Sequence, residues 1–492
     1  MNKQITRVAG LAMGLLVALI VATTYWQTWA RPALAERQDN AIQRVAQFEI
    51  KRGLILSPAR VLARNKERRV DGRTFFFRRY PQGRLAAHVV GYSTAARSRT
   101  GLERSLNPVL TGSVRSLSSL VDQSLDKLNG KPIVGDTAVT TLDVNGQRTA
   151  LAALGTKCGA VVVLDPRTGK LRVMVSSPSY NPNLVETDFG RIEKIRADCT
   201  PASPLLNRAS QGLYPPGSTF KVVTASAALD SGKYTAASTF YDPGYCTVYG
   251  KRVNNFDTSS PFGNVSLATA LQYSVNSVFC NIGVKLGARQ IVKQAKKFGF
   301  YERPPLETPE SERLPSGLYR KGRLYDPRRD RDVDAGRMAF GQERLLVTPL
   351  QMAMVAGAIG NDGILMRPFV VSKLVTPNGK TRDRTKPTKI RRAVSPATAR
   401  DVGAMMVRAV EAGTGTAARI PGFEIGGKTG TAETGVSGNN TTWFIAFAGD
   451  PGEKPKLAIA VVLQNQSLTG GATAAPIARQ VMQALLTPTA NP

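Results

Sequence analysis

Histidine is almost missing from this chain of 492 residues, where His88 stands alone. A Ser-His-Asp or Cys-His mechanism would hang on that one residue, and a metal site built from several imidazoles is excluded. Cysteine is scarce too. The four, at positions 158, 199, 246 and 280, contain no C-x-x-C pair, which excludes zinc ribbons and thioredoxin-like redox sites. Negative charge is the third shortage: 35 Asp and Glu stand against 66 Lys and Arg, a formal charge of +31. There is no internal repeat and no long low-complexity tract. Hydrophobic residues make up 42% of the chain, enough to build real cores, and at roughly 100–200 residues per domain the length fits two or three folded units.

A basic excess of this size suits a phosphate polymer, because clustered Lys and Arg displace its counterions. The N-terminus points to a different anion. Lys3 and Arg7 precede an uncharged run over residues 8–30, rich in Leu, Val and Ala and carrying Tyr25, Trp26 and Trp29 at its far end, before Arg31. About 20 apolar residues span a bilayer as a helix, and interfacial aromatics mark its exit. A cleaved signal peptide is the alternative, but the run is long for its apolar region and bulky rings crowd the cleavage zone. The reading is a single-pass anchor over residues 1–30, its N-terminus cytoplasmic. Everything after Arg31 then lies outside the cell membrane, where lipid headgroups and wall polymers, not nucleic acid, are the available anions.

Residues 31–130 are dense in arginine, with Arg64, Lys66, Arg68, Arg69, Arg73, Arg78 and Arg79 against Glu67 and Asp71. Such a run is either solvated surface or a face toward anionic lipid or wall polymer. Apolar stretches at 54–56 and 75–77 predict strands of a small α+β unit, and Asn129-Gly130-Lys131-Pro132 reads as the joint to the next one. Residues 131–488 read as one large α+β domain. Apolar runs at 159–165 and 169–176, around Pro166-Arg167-Thr168-Gly169, predict a hairpin; runs at 443–448 and 457–463 supply partner strands from the far end of the chain. Helical periods fill the middle at 220–229, 267–286, 349–359 and 397–411. The basic, Pro-rich segment 301–331 has no clear period and reads as a surface excursion.

The strongest local feature is Tyr214-Pro215-Pro216-Gly217-Ser218-Thr219-Phe220-Lys221. A Pro-Pro-Gly turn feeding a helix puts Ser218 at the helix N-terminus, where free N–H groups favour developing negative charge. Lys221 shares its helical face. A serine hydroxyl needs a base to become nucleophilic, and without histidine a desolvated lysine can serve. By itself S-x-x-K is weak: serine commonly caps helices, and Ser124-Leu125-Asp126-Lys127 matches too. Two further pieces strengthen it. Ser274-Val275-Asn276 offers a hydroxyl to pass a proton to a leaving group and an amide to orient a substrate. Gly426-Gly427-Lys428-Thr429-Gly430-Thr431 contains the only K-T-G in the chain, with small residues for close backbone approach and donors suited to a carboxylate.

In this order, S-x-x-K, S-x-N, K-T-G, the chain resembles the penicillin-binding proteins and serine β-lactamases. Gly341-Gln342, Val347-Thr348-Pro349-Leu350-Gln351-Met352-Ala353, Lys428-Thr429-Gly430-Thr431-Ala432-Glu433 and Ser176-Ser177-Pro178-Ser179-Tyr180-Asn181-Pro182-Asn183 are similar to class B penicillin-binding proteins. So are Arg52-Gly53-Leu54-Ile55 and Gly101-Leu102-Glu103-Arg104 in the N-terminal unit. Leu56-Ser57-Pro58-Ala59-Arg60 replaces the x-D-R-N-G run frequent in that class and resembles the shorter actinobacterial penicillin-binding protein A type.

The resemblance implies an antiparallel transpeptidase sheet with helices at 131–488, behind a small α+β pedestal at 31–130 and the anchor. It implies a D,D-transpeptidase that cross-links peptidoglycan stem peptides in cell division or elongation and is acylated by β-lactams, with no cofactor and no metal. Ser218 would be the acylated nucleophile and Lys221 its base, with Ser274 and Asn276 as second motif. Lys428, Thr429, Gly430 and Thr431 would bind the substrate carboxylate, and the N–H groups of Ser218 and Thr431 would form the oxyanion hole. The partner implied is a membrane-embedded glycan polymerase.

Competing readings remain at this level. Gly422 to Thr429 also satisfies G-x-x-x-x-G-K-[ST], but no apolar strand precedes it and no helical pattern follows. A β-lactamase, a carboxypeptidase or a β-lactam sensor shares the three motifs, though it leaves the arginine-rich unit unexplained; a non-catalytic scaffold of the division or elongation machinery is the reading from another class. Outside the membrane, thiols tend to oxidise. A Cys246 to Cys280 bridge would tie the loop before the second motif to its helix; free buried cysteines are the alternative. His88, far in sequence from the motifs, reads as structural.

Overall fold

The computed structural model describes residues 2–25, 47–95, 97–113, 133–248, 250–257, 259–434 and 438–487. The joint at 129–132, the S-x-x-K match at 124–127, and Trp26 and Trp29 lie outside them. Asn2–Tyr25 is one helix, and its segment Thr6–Tyr25 is long and apolar enough to cross a membrane, with none of it buried against the rest of the protein. A helix satisfies its backbone internally, which a bilayer demands.

The N-terminal unit is built on a six-stranded sheet. Its order is Thr381–Arg384, Val371–Val375, Thr137–Thr140, Ile55–Leu56, Val61–Val70, Arg73–Arg79. Three of these strands come from beyond residue 130, so the sheet runs straight across the expected joint. Its core centres on charge. Glu103 is fully buried and accepts from Arg52 Nη2 at 2.8 Å and Arg78 Nε at 2.6 Å. Burial alone would raise the Glu103 pKa, but the two guanidiniums hold it below its ordinary value. The R-G-x-I and G-L-E-R runs therefore meet in space as an ion cluster.

The larger unit is layered around a five-stranded antiparallel sheet, in the order Glu424–Glu433, Asn440–Gly449, Leu457–Gln466, Gly159–Leu164, Leu171–Ser177. Strands from both ends of this unit do pair, and the hairpin closes at 166–169 as its turn residues predict. Alternate residues face opposite layers. Val161, Val163, Ile459 and Val461 join a core with the helix Ala474–Leu486, while Ala160, Val162, Ala458 and Ala460 join one with Pro349–Gly360. Both faces are covered, so these strands are apolar throughout rather than alternating. The strand Glu424–Glu433 lies at the sheet edge, with one side unpaired.

Two expectations need correction. The helix predicted over 267–286 is broken into Leu267–Gln272 and Asn276–Leu286, because Ser274 has φ +64°, a left-handed conformation that no helix tolerates. The segment 301–331 is not merely an excursion. It contributes the strands Gly317–Arg320 and Arg323–Leu324, and the carboxylate of Glu312 accepts from the Gly101 N–H at 3.0 Å, pinning the N-terminal unit to the larger one. Both cysteine pairs are bonded, Cys246 to Cys280 and Cys158 to Cys199.

Candidate active site

Ser218 sits in the short 3₁₀ turn Gly217–Phe220, which continues into the helix Lys221–Asp230. Pro215 and Pro216 set the approach: the Pro215 carbonyl accepts from the Trp443 indole at 2.9 Å, and Thr219 Oγ1 donates to Pro216 O at 2.8 Å. Gly341 backs the turn. Its φ is +83°, its carbonyl accepts from Gly217 N at 3.0 Å, and a Cβ there would fall 1.9 Å from Gly217 O. Ser218 is half-buried while both neighbours on each side are buried, and its side chain has no hydrogen-bond partner among the described residues. Its own N–H, in the first turn, is left without an intrahelical acceptor.

One turn on, Lys221 is fully buried. Its Nζ lies 2.6 Å from Ser274 O, 2.7 Å from Asn276 Oδ1 and 3.1 Å from Ser274 Oγ. The left-handed backbone at Ser274 is what brings carbonyl and hydroxyl to the same amine. Burial, and after it the charge of Lys428, pulls the Lys221 pKa well below its ordinary value. A neutral amine has two N–H donors and one lone pair. The Ser274 carbonyl and Asn276 Oδ1 can only accept, so in that form they would take the donors and leave the lone pair for a hydroxyl. Asn276 is itself fixed, its Nδ2 donating to Asn254 O at 3.0 Å.

The K-T-G motif lies within the edge strand Glu424–Glu433. Among the described residues the next element after it is the strand Asn440–Gly449, not a helix, so the strand–loop–helix order of a phosphate loop is not found there. The nucleophile turn packs directly on this strand: a Cβ at Gly430 would sit 2.8 Å from Pro216 O, and one at Gly217 3.0 Å from Thr431 O. Lys428 is fully buried, donates to Thr429 O at 3.1 Å, and is brought by burial to a pKa of about 7. Thr429 Oγ1 is 2.7 Å from Thr414 Oγ1, and Thr431 Oγ1 accepts from Gly470 N at 3.2 Å. The turn with Ser218, the pair Ser274 and Asn276 around Lys221, and the strand with Lys428, Thr429, Gly430 and Thr431 thus pack against one another.

Several residues of this site carry no motif. Asp242 is buried, and its carboxylate accepts from Gly244 N at 2.8 Å, from Asn255 Nδ2 at 2.9 Å to each oxygen, from Phe262 N at 3.0 Å and from the Ser277 hydroxyl. Burial opposes its ionisation, but these hydrogen bonds, led by Ser277, hold its pKa below the ordinary value. Asn255 Oδ1 accepts from Ser277 N at 3.0 Å, and the Phe262 ring lies 5.4 Å from that of Tyr273. Asp242 therefore braces both flanks of the Ser274–Asn276 corner. Its only signal in the sequence is an Asp-Pro-Gly turn. His88 stands apart: its Nε2 lies 2.8 Å from Pro204 O, its ring meets Tyr180 edge-on, and burial lowers its pKa to about 4.

Two family models match the chain: a penicillin binding protein transpeptidase domain over residues 159–483, and a penicillin binding protein A dimerisation domain over 52–138. The chain is 38% identical over 518 residues to the peptidoglycan D,D-transpeptidase PbpA of Mycolicibacterium smegmatis, covering 99% of each. It is 36% identical over 511 residues to PbpA of Mycobacterium tuberculosis, again over 99% of each. Among solved structures, the ceftriaxone acyl-enzyme complex of penicillin-binding protein A from M. tuberculosis superposes with a TM-score of 0.79 at 33% identity, over 90% of this chain and 100% of that one. The penicillin G acyl-enzyme complex gives 0.77 at 34%, over 89% and 100%.

Proposed function

The chain belongs to the penicillin-binding protein transpeptidase family and is a peptidoglycan D,D-transpeptidase, and we propose that Ser218 carries its acyl group. The observation that carries this assignment is the fully buried Lys221, its Nζ 2.6 Å from Ser274 O and 2.7 Å from Asn276 Oδ1, one helical turn from the half-buried Ser218 hydroxyl, with burial pulling its pKa well below the ordinary value. A stem peptide ending in D-Ala-D-Ala lies along the open edge of the strand Glu424–Glu433, its terminal carboxylate held by Lys428, Thr429 and Thr431. Lys221 Nζ takes the Ser218 proton as Oγ attacks the penultimate D-Ala carbonyl. The Ser218 and Thr431 N–H groups receive the oxyanion. As the tetrahedral centre collapses, the C–N bond breaks and the departing D-Ala amine takes a proton through the Ser274 hydroxyl. An amine of a neighbouring stem then attacks the ester, gives up its proton along the same path, and leaves a new amide and free Ser218. A β-lactam acylates the same oxygen, and its ring-opened product stays attached.

Residues 1–30 act as a single-pass anchor with the N-terminus in the cytoplasm, 31–130 as the bulk of a pedestal whose sheet also takes the strands at 137–140, 371–375 and 381–384, and the rest of 131–488 as the transpeptidase unit. The apolar helix and the two matched family regions support this division. A membrane-embedded glycan polymerase of the division or elongation machinery is the partner that such an anchored cross-linking enzyme would serve. The test is fluorescent-penicillin labelling of the full chain and of Ser218→Ala, with mass mapping of the labelled peptide. A stable adduct at Ser218, absent from the variant, is expected. Labelling elsewhere overturns the assignment, and rapid release of hydrolysed drug indicates a β-lactamase.

A further inference from the structure

The arginine-rich hairpin of the N-terminal unit has a face with one sign of charge. Strand Val61–Val70 pairs with Arg73–Arg79 so that Arg64 stands opposite Arg79, Lys66 opposite Phe77, Arg68 opposite Phe75 and Val70 opposite Arg73. Residues opposite one another share a face. That face therefore carries Arg64, Lys66, Arg68, Arg73 and Arg79, all exposed, around the half-buried rings of Phe75 and Phe77, with Val70 40% exposed beside the turn. No acidic side chain of the two strands lies on it. Glu67 is on the opposite face with Lys51 at 3.4 Å, Asp71 is in the turn, and among the described residues the carboxylate of Glu49 reaches Arg73 at the rim, 3.6 Å away.

The chain arrives from the membrane helix at this same hairpin. Phe48 O accepts from Phe76 N at 2.6 Å, and the Phe48 ring stacks on Phe77 at 5.3 Å. The described helix runs to Tyr25 and the described chain resumes at residue 47, so at most 21 residues, a contour of at most about 75 Å, lie between that helix and the hairpin's edge strand. A strip of five cations tethered that close to a bilayer meets its headgroups repeatedly.

We propose that this face docks on the outer leaflet through anionic lipid headgroups, with the phosphates paired by Arg64, Lys66, Arg68, Arg73 and Arg79 and Val70 at the headgroup boundary. Each cation near an anionic surface strengthens binding about fivefold, and the attraction is screened beyond about 8 Å at physiological salt. The docked hairpin lays the N-terminal sheet against the membrane and fixes the height of the transpeptidase groove above it.

The test uses the full chain in nanodiscs of phosphatidylcholine alone or with phosphatidylglycerol, read by hydrogen exchange over residues 61–79. Exchange is expected to slow several-fold in the anionic discs only, to recover at high salt, and to recover in the triple variant Arg64→Ser, Arg68→Ser, Arg73→Ser. Arg69→Ser, on the opposite face, should leave the protection in place, and fluorescent-penicillin labelling checks that both variants are folded. Equal exchange in the two discs overturns the proposal. So does protection in neutral discs that appears only on adding a soluble polyanion, which would assign the face to a wall polymer.

Discussion

Asp242→Asn is the substitution that most directly tests how the second motif is held in place. Asparagine keeps the shape but turns one acceptor oxygen into a donor. With the amide placed at the Oδ2 position, it faces Phe262 N and Asn255 Nδ2, which can no longer donate to it. Hydrogen bonds to a charged group contribute about 1.5–3 kcal/mol each, so losing one or two costs on the order of 3 kcal/mol. Part of that loss reaches Tyr273 through the Phe262 ring and Ser277 through Asn255, the two neighbours of the Ser274–Asn276 corner. If half is felt at the Lys221 amine, acylation slows on the order of tenfold. Stopped-flow acylation with a fluorescent penicillin should show the loss in the acylation rate constant. Noncovalent affinity should change little, because the strand carrying Lys428 is untouched. The stability effect has a sign as well. A carboxylate with a lowered pKa stabilises the fold above its unfolded pKa and loses that contribution as pH falls through the folded value, and the Asn variant lacks this acid-side loss. Wild-type acylation in a variant that melts with the wild type would refute the bracing role.

The two buried lysines make a pH prediction. Lys428, with a pKa of about 7, loses its charge as pH rises through neutrality, so capture of a carboxylate ligand by the free enzyme should weaken there; its charge also lowers the Lys221 pKa. Lys428→Gln should therefore abolish the alkaline limb of acylation against pH and move the acid limb to higher pH, the limbs belonging to the coupled pair; an acid limb moving downward contradicts this. Gly341→Ala drives a methyl into Gly217 O at a left-handed φ, a strain of about 2–3 kcal/mol that should cost acylation roughly 100-fold. Gly322→Ala is its control, with φ +74° but open space around the added carbon. Equal acylation by the two variants would show that the collision is harmless.

What the sequence carried was local chemistry. The Pro-Pro-Gly turn, the lysine three residues after Ser218 and the small residues around Lys428 are each written within a few positions, and so is the hairpin at 166–169. What it concealed depends on distant contacts or on an unusual backbone. The helical period of apolar residues runs on through 267–286, and nothing in it marks Ser274 as left-handed; only packing against Lys221 and the Asp242 network explains that break. Asp242 itself lies 32 residues before Ser274 and looks like a turn former. Glu312 reads as part of a basic loop until it is seen holding Gly101 N. The turn residues at 129–132 read as a joint, whereas strand pairing carries the sheet past them.

That sheet has a consequence for biogenesis. Ile55–Leu56 pairs with Thr137–Thr140, and Thr137–Thr140 pairs on its other edge with Val371–Val375. In the proposed topology, a chain exported behind its anchor cannot complete this sheet until residue 384 has emerged, by which point most of the transpeptidase region has been exported too. The two units would then mature together, and an arrest before that point would leave an open β-edge, an adhesive surface for chaperones or proteases on the side where the chain folds.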